Sequence, residues 1–278
     1  MPQVPRIVGW PLLAAGGYGA LYFMAYRATY HPMKYPHGLW GVESRLGAKD
    51  VWLKTSDRVR LHGWQFDAPQ AKVFTLFFHG NAGNITHRLH HIQKLTSAGS
   101  SVLIIDYRGY GKSEGTPSEK GLFADAEAAY QFLVKAGEPP DRIVVHGESL
   151  GCAVAIDLAA RHPCAGVVLE APFPSARAVA SRLLPLIGSL VVWTYDSTKK
   201  LGTVHAPVLV LHGESDDIIP IELGKEVFSL AREPKSFWAV PGGGHNDLIE
   251  AAGPEYERRL RDFYASLPSA GRISPLLR

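Results

Sequence analysis

The sequence predicts an α/β fold built on a doubly wound, mostly parallel sheet. Two observations carry this. Six short, continuous apolar runs recur: VFTLFF (73–78), VLIID (102–106), RIVVHG (142–147), VVL (167–169), VLVLHG (208–213) and FWAV (237–240). Such runs suit strands buried on both faces. Longer segments with helical patterning lie between most of them, and strand–helix alternation builds parallel sheets with right-handed crossovers. A chain of 278 residues with 46% hydrophobic and 20% charged residues has enough apolar surface for the core this fold requires.

From the N-terminus, residues 7–26 (IVGWPLLAAGGYGALYFMAY) contain no charged side chain. About 20 such residues match a membrane-spanning helix, although four glycines and Pro11 weaken the signal. The expectation is a single N-terminal membrane anchor within residues 1–30. A cleaved signal peptide and a buried helix are the alternatives. Arg6 stands on one side of the segment and Arg27 and Lys34 on the other, so its orientation stays open.

Residues 31–49, rich in Pro and Gly, read as a linker to a catalytic domain over 50–278. In DVWLKTSDRVRLHGWQF, two alternating runs flank Ser56-Asp57, the pattern of an antiparallel hairpin. The helical segments that follow are ITHRLHHIQKLTSAG, SEKGLFADAEAAYQFLVKAG, SLGCAVAIDLAARHP and IELGKEVFSLAREP. NDLIEAAGPEYERRLRDFYASL closes the domain. Cys152 and Cys164 lie at opposite ends of one predicted helix, about 18 Å apart at the usual helical rise, too far for a disulfide. The formal net charge is +3 and no Lys/Arg run stands out, which argues against nucleic-acid binding.

In open α/β sheets, ligands bind beyond the carboxyl ends of the strands. Three predicted strands end there in the same dipeptide: His79-Gly80, His146-Gly147 and His212-Gly213. The second runs straight into Ser149. A G-x-S-x-G is a weak signal alone, and the chain holds two: 147–151 and 111–115. Context separates them. Ser149 sits where a strand turns sharply into a helix, the setting that strains a serine and exposes its hydroxyl, and glycines two residues away leave room for the turn. Ser113 lies well past its strand with Pro117 close behind, and reads as a loop residue. The alternative for Ser149 is a helix N-cap on a tight turn.

A serine hydroxyl attacks a carbonyl only when a neighbouring base takes its proton, and that base needs an acceptor to fix its tautomer. HGESDDIIP, after the next-to-last apolar strand, puts Asp216 and Asp217 on the rim. PGGGHNDL, after the last, puts His245 in a glycine-rich loop. Each is ordinary alone, a turn aspartate or a helix-start histidine. Together they give Ser, Asp and His in chain order at three strand ends. An oxyanion would be held by the backbone N–H of Leu150, just after the serine, and by that of Asn81 in the loop FFHGNAGNI. The alternative for that loop is a glycine-rich connection with no role.

Taken in order, HGNAGN, DYRGYGKSEGTPSE, HGESLG, PVLVLHGESDDIIP and GGGHND resemble the α/β-hydrolase superfamily. More narrowly, they resemble its membrane-anchored serine hydrolases, which include protein depalmitoylases among the abhydrolase-domain proteins. The resemblance covers roughly residues 50–266 and implies an α/β-hydrolase fold with an antiparallel N-terminal hairpin. It implies Ser149 as nucleophile, Asp216 as the acid of the triad, His245 as base, and the N–H groups of Asn81 and Leu150 as oxyanion donors. Two features depart from the usual pattern. The oxyanion loop is HGNAGN rather than HGGG, and Glu170, ending VVLE, is an alternative acid.

The cap between strands, about 173–206, is small. Its LLPLIGSLVVW stretch (183–193) reads as an acyl-binding wall or bilayer contact, or equally as a core helix. His87, His90 and His91 have helical spacing but too few companions for a metal site, and read as a solvated helix face. G-x-x-x-x-G-K-[ST] and dinucleotide fingerprints are missing. The expected activity is hydrolysis of carboxylic esters or thioesters through an acyl-enzyme, needing no cofactor or metal. A peptidase or amidase with the same triad, and a non-catalytic membrane-tethered binding protein, are the alternatives. An Asp-nucleophile dehalogenase or epoxide hydrolase is disfavoured by Ser149.

Overall fold

The six apolar runs all become strands of one eight-stranded sheet. The structure, a computed structural model, describes residues 23–183, 192 and 194–268. In chain order the strands are β1 (His31–Pro32), β2 (Lys49–Lys54), β3 (Arg60–Phe66), β4 (Val73–Phe78), β5 (Ala82–Gly83), β6 (Ser100–Ile105), β7 (Ile143–Glu148), β8 (Gly166–Glu170), β9 (Val208–Gly213) and β10 (Lys235–Val240). The large sheet has the order β10-β9-β8-β7-β4-β6-β3-β2. Its six members from β4 onward, β5 excepted, run parallel. The expected hairpin, β2 with β3, forms the antiparallel edge and pairs with β6. β1 and β5 make a separate two-stranded piece.

The described helices are α1 (23–29), α2 (Leu89–Ser97), α3 (Glu119–Lys135), α4 (Leu150–Arg161), α5 (Ala176–Leu183), α6 (Thr198–Leu201), α7 (Ile221–Leu230), α8 (Leu248–Ala252) and α9 (Pro254–Ser266). The closing segment breaks at Gly253, whose φ of +53° suits glycine, followed by Pro254 at the first turn of α9.

Successive strand residues point to opposite faces. In β4, Phe74, Leu76 and Phe78 enter a core shared with α3, α4 and α7. Val73 and Phe77 enter the other core, with α2, α8 and α9. This two-sided burial explains why the parallel strands read as unbroken apolar runs. It also leaves the carboxyl ends of β4, β7, β8, β9 and β10 as one rim.

The apolar segment 7–26 lies outside the described residues except for 23–26 in α1, and most of 183–193 lies outside them too. Among the described residues, no helix is long and apolar enough to cross a membrane. Residues 31–49 start at the rim, beside Ala82 and Gly83, and lead away from it to Lys49, which pairs with Gln65 toward the far end of β3. Tyr35 N–H donates to Gly111 O, and Trp40 packs edge-on to Trp64 at 5.5 Å.

Candidate active site

The turn from β7 into α4 holds Ser149 at φ +52° and ψ −115°, a conformation a non-glycine residue adopts only under constraint. Its N–H donates to Glu170 O at the end of β8 (2.8 Å), which fixes the turn to the sheet. The flanking glycines are needed for space: a Cβ on Gly147 would overlap the Gly151 carbonyl, and one on Gly151 would overlap the Phe78 carbonyl.

Two loops, carrying His245 and Asp216, converge on the turn that holds the serine. His245 Nε2 lies 3.1 Å from Ser149 Oγ, and His245 Nδ1 lies 2.8 Å from Asp216 Oδ2. Asp216 Oδ1 accepts the N–H groups of Ile218 (3.0 Å) and Ile219 (2.7 Å). Burial works to raise the Asp216 carboxyl, but hydrogen bonds from His212, His245 and the Ile219 N–H outweigh it. The group is held well below the usual carboxylate range. It is therefore an anion facing Nδ1, which makes Nδ1 the protonated nitrogen and leaves Nε2 free to accept from Oγ. Ser149 and Asp216 are both buried, and the His245 side chain is 11% exposed.

Asp217 makes no part of this chain. Glu170, the alternative acid, lies elsewhere: it accepts from His146 Nε2 (2.7 Å) and from the Tyr256 hydroxyl, and pairs with His91 (3.4 Å). Burial raises its carboxyl, yet His146 and His91 bring it below its ordinary value. Ser113 is buried and structural, with its Oγ accepting His62 N–H and donating to Asp106 O. The three helix histidines separate. His87 closes a capping box with Asn84, and His90 meets Glu250 at 3.0 Å. His91 is not on a solvated face: it stacks on Phe77 at 5.5 Å and reaches Glu170.

Gly80, Asn81, Ser149, Leu150 and His245 line one cavity of about 480 Å³. Leu150 opens α4, where a backbone N–H has no intrahelical acceptor. The rest of the wall is largely apolar: Ala25 and Ala28 of α1, Phe173, Val179 of α5, Ile218 and Ile219. A second, more polar space of about 250 Å³ opens from the same Ser149 and His245 toward His90, His91 and Glu250. Arg88 and Glu148, paired at 2.5 Å, border both.

The sequence pointed to the strand-end histidines as a pattern without assigning them work. Each braces a loop of the site. His79 Nδ1 donates to Gly80 O (2.7 Å), His146 holds Glu170, and His212 Nε2 donates to Ile219 O (2.7 Å) in the loop that carries Asp216. Burial, aided by the Arg88 charge, pushes the His79 pKa down to about 4, so the ring is neutral at pH 7. The contribution of α1 to the cavity had no signal in the sequence.

The family described as serine aminopeptidase, S33, matches residues 68–201. An uncharacterized protein of Mycobacterium tuberculosis is 40% identical over 250 residues, spanning 88% of each chain. Alpha/beta hydrolase domain-containing protein 17C of Mus musculus is 34% identical over 239 residues, covering 83% of this chain and 73% of its own. Among solved structures, an esterase of Pyrococcus furiosus superposes with a TM-score of 0.71 at 22% identity, over 86% of this chain and 98% of its own.

Proposed function

The chain belongs to the α/β-hydrolase superfamily and is a hydrolase of that fold, and we propose that it is a serine hydrolase cleaving carboxylic esters or thioesters through an acyl-enzyme. The observation that carries this is the unbroken relay from Ser149 Oγ through His245 to Asp216, at 3.1 and 2.8 Å, opening onto a largely apolar cavity.

In the proposed reaction the substrate's acyl group lies in that cavity. Ser149 Oγ attacks the carbonyl while His245 Nε2 takes its proton. The carbonyl oxygen becomes an anion held by the N–H groups of Asn81 and Leu150. His245 returns the proton to the departing alcohol or thiol, leaving Ser149 acylated. Water, deprotonated by the same nitrogen, then attacks the ester, and the acid leaves with Ser149 restored. Asp216 stays ionised throughout and stabilises the imidazolium. No cofactor or metal enters these steps.

The description of the matching family, an aminopeptidase, favours a second reading, amide cleavage by the same residues. Matched p-nitrophenyl esters, thioesters and aminoacyl p-nitroanilides of rising acyl length decide between them. The ester reading requires kcat/KM for esters or thioesters to exceed that for the anilides and to rise with acyl length. Anilides as the better substrates would replace it. The proposal extends to residues 7–26 as a membrane anchor, for which carbonate-resistant sedimentation of the full chain with membranes is the test.

A further inference from the structure

We propose that the N-terminal segment around Thr29–Met33 belongs to the reaction site, with Thr29 and His31 as positioning residues that hold Asn81, the oxyanion donor. This rests on the serine-hydrolase reading.

The donated N–H is that of the peptide joining Gly80 to Asn81. Its other end, Gly80 O, is held by His79 Nδ1. A planar trans peptide points its C=O and N–H in opposite directions, so fixing one aims the other. That brace lies within residues 68–201, the family match. The brace on the far side of Asn81 comes largely from before it. Asn81 O accepts the His31 N–H (3.0 Å) and the Tyr110 hydroxyl (2.7 Å), and Asn81 Nδ2 donates to Thr29 O (3.1 Å).

The pairing then continues. His31 and Pro32 lie in parallel register with Ala82 and Gly83, and Met33 N–H donates to Gly83 O (2.9 Å). Met33 O accepts from Gly111 N–H (3.0 Å) and Asn84 Nδ2 (3.1 Å). The loop after β4 is thus a strand added to a partner about 50 residues earlier in the chain. Of the residues that hold this 81–84 loop, Thr29, His31, Pro32 and Met33 precede residue 68, where the family match begins, and Tyr110 follows it. Ala25, Ala28, Thr29 and His31 also line the cavity, so the segment that braces the donor also walls the space beside it.

An oxyanion donor works by being in place before charge develops; a loop that must be ordered during the reaction loses that advantage. Gly83 sits at φ +85° and Gly80 precedes Asn81, so the loop has little intrinsic stiffness. Loosening the brace should therefore lower kcat and leave KM nearly unchanged, because the interaction is made mainly in the transition state.

The test uses three forms of the chain: His31→Pro, which removes the N–H that Asn81 O accepts, Asn81→Ala, and a truncation beginning at residue 35. Asn81→Ala keeps the backbone N–H and removes only the bond to Thr29. The readouts are kcat and KM on a p-nitrophenyl ester, and the inhibition constant of an alkyl trifluoromethyl ketone, whose hemiketal oxyanion occupies the hole. Each point variant is expected to lose about 10-fold in kcat, with KM within about 3-fold of wild type. The truncation is expected to approach the roughly 10²–10³-fold loss of a deleted donor. The ketone should weaken in parallel with kcat. Folded variants with kcat and ketone affinity within about 2-fold of wild type would overturn the proposal, and a lower Tm alone would assign the segment to fold support. If the truncation does not fold, the two point variants decide. Should the ketone fail to inhibit the wild-type protein, the serine-hydrolase reading falls with it. If it inhibits wild type and all variants equally, only the brace is refuted.

Discussion

Asp216→Asn separates a working relay from a merely adjacent set of side chains. The side chain is nearly the same size, and its orientation is dictated by the surroundings. Oδ1 accepts two backbone N–H groups, from Ile218 and Ile219. An amide must place its oxygen there, because an NH₂ would face two donors. The NH₂ then stands where Oδ2 was, 2.8 Å from His245 Nδ1. Two N–H donors cannot face each other, so the ring takes its other tautomer, with Nδ1 accepting and Nε2 protonated. Nε2 then points a hydrogen at Ser149 Oγ and cannot take its proton. The loss expected of a wrong tautomer in a triad of this kind is about 10⁴ in kcat, or about 5 kcal/mol of transition-state stabilisation. Initial rates on a short-chain p-nitrophenyl ester give kcat, and thermal unfolding shows that the variant is folded. A folded Asp216→Asn protein within about 10-fold of wild type would refute the tautomer argument. If Glu170→Gln instead cost about 10⁴ with the fold intact, the acid would have to be reassigned.

Gly151→Ala is expected to cost at least about 3 kcal/mol, because its methyl group would meet the Phe78 carbonyl, which cannot rotate away; chemical denaturation or loss of soluble protein reads this. His79 gives a pH signature. Its folded pKa of about 4 lies below the unfolded value near 6.5, so the unfolded chain binds the proton first as pH falls. Its contribution is fully present above about pH 7 and is lost as pH drops toward 4, by about 2 kcal/mol between pH 7 and 5. His79→Asn, whose amide can still donate to Gly80 O, should remove that part of the slope in urea titrations at the two pH values. An unchanged slope would count against a buried neutral ring. Ser149→Ala should reduce ester turnover by about 10⁶ while leaving Tm within a few degrees of wild type.

Much of this was legible because it is local. VFTLFF and VLVLHG became β4 and β9 without adjustment, since strands covered on both faces carry an unbroken apolar signature. The β7–Ser149–α4 turn was legible because only glycine fits at 147 and 151. Ser113 was separated from Ser149 by its distance from any strand end, and its hydroxyl is spent on His62 and Asp106. What the sequence did not show is non-local. The pairing of β1 with β5 joins residues about 50 apart, within a stretch whose Pro and Gly content hides any periodicity. His91 belongs to a run that reads as polar helix surface, and only the fold brings Phe77 and Glu170 against it. The His-Gly strand ends were visible, but their acceptors, Gly80 O, Glu170 and Ile219 O, are set by loop geometry that no spacing encodes.

The central claim is that Ser149 is an activated nucleophile. A fluorophosphonate probe, applied to the wild-type chain and to Ser149→Ala and followed by mass spectrometry of the labelled peptide, tests it most directly. The account predicts a single phosphonylated site at Ser149 in wild type and no label in the variant. A folded wild-type protein that stays unlabelled, or carries its label on another residue, would contradict it.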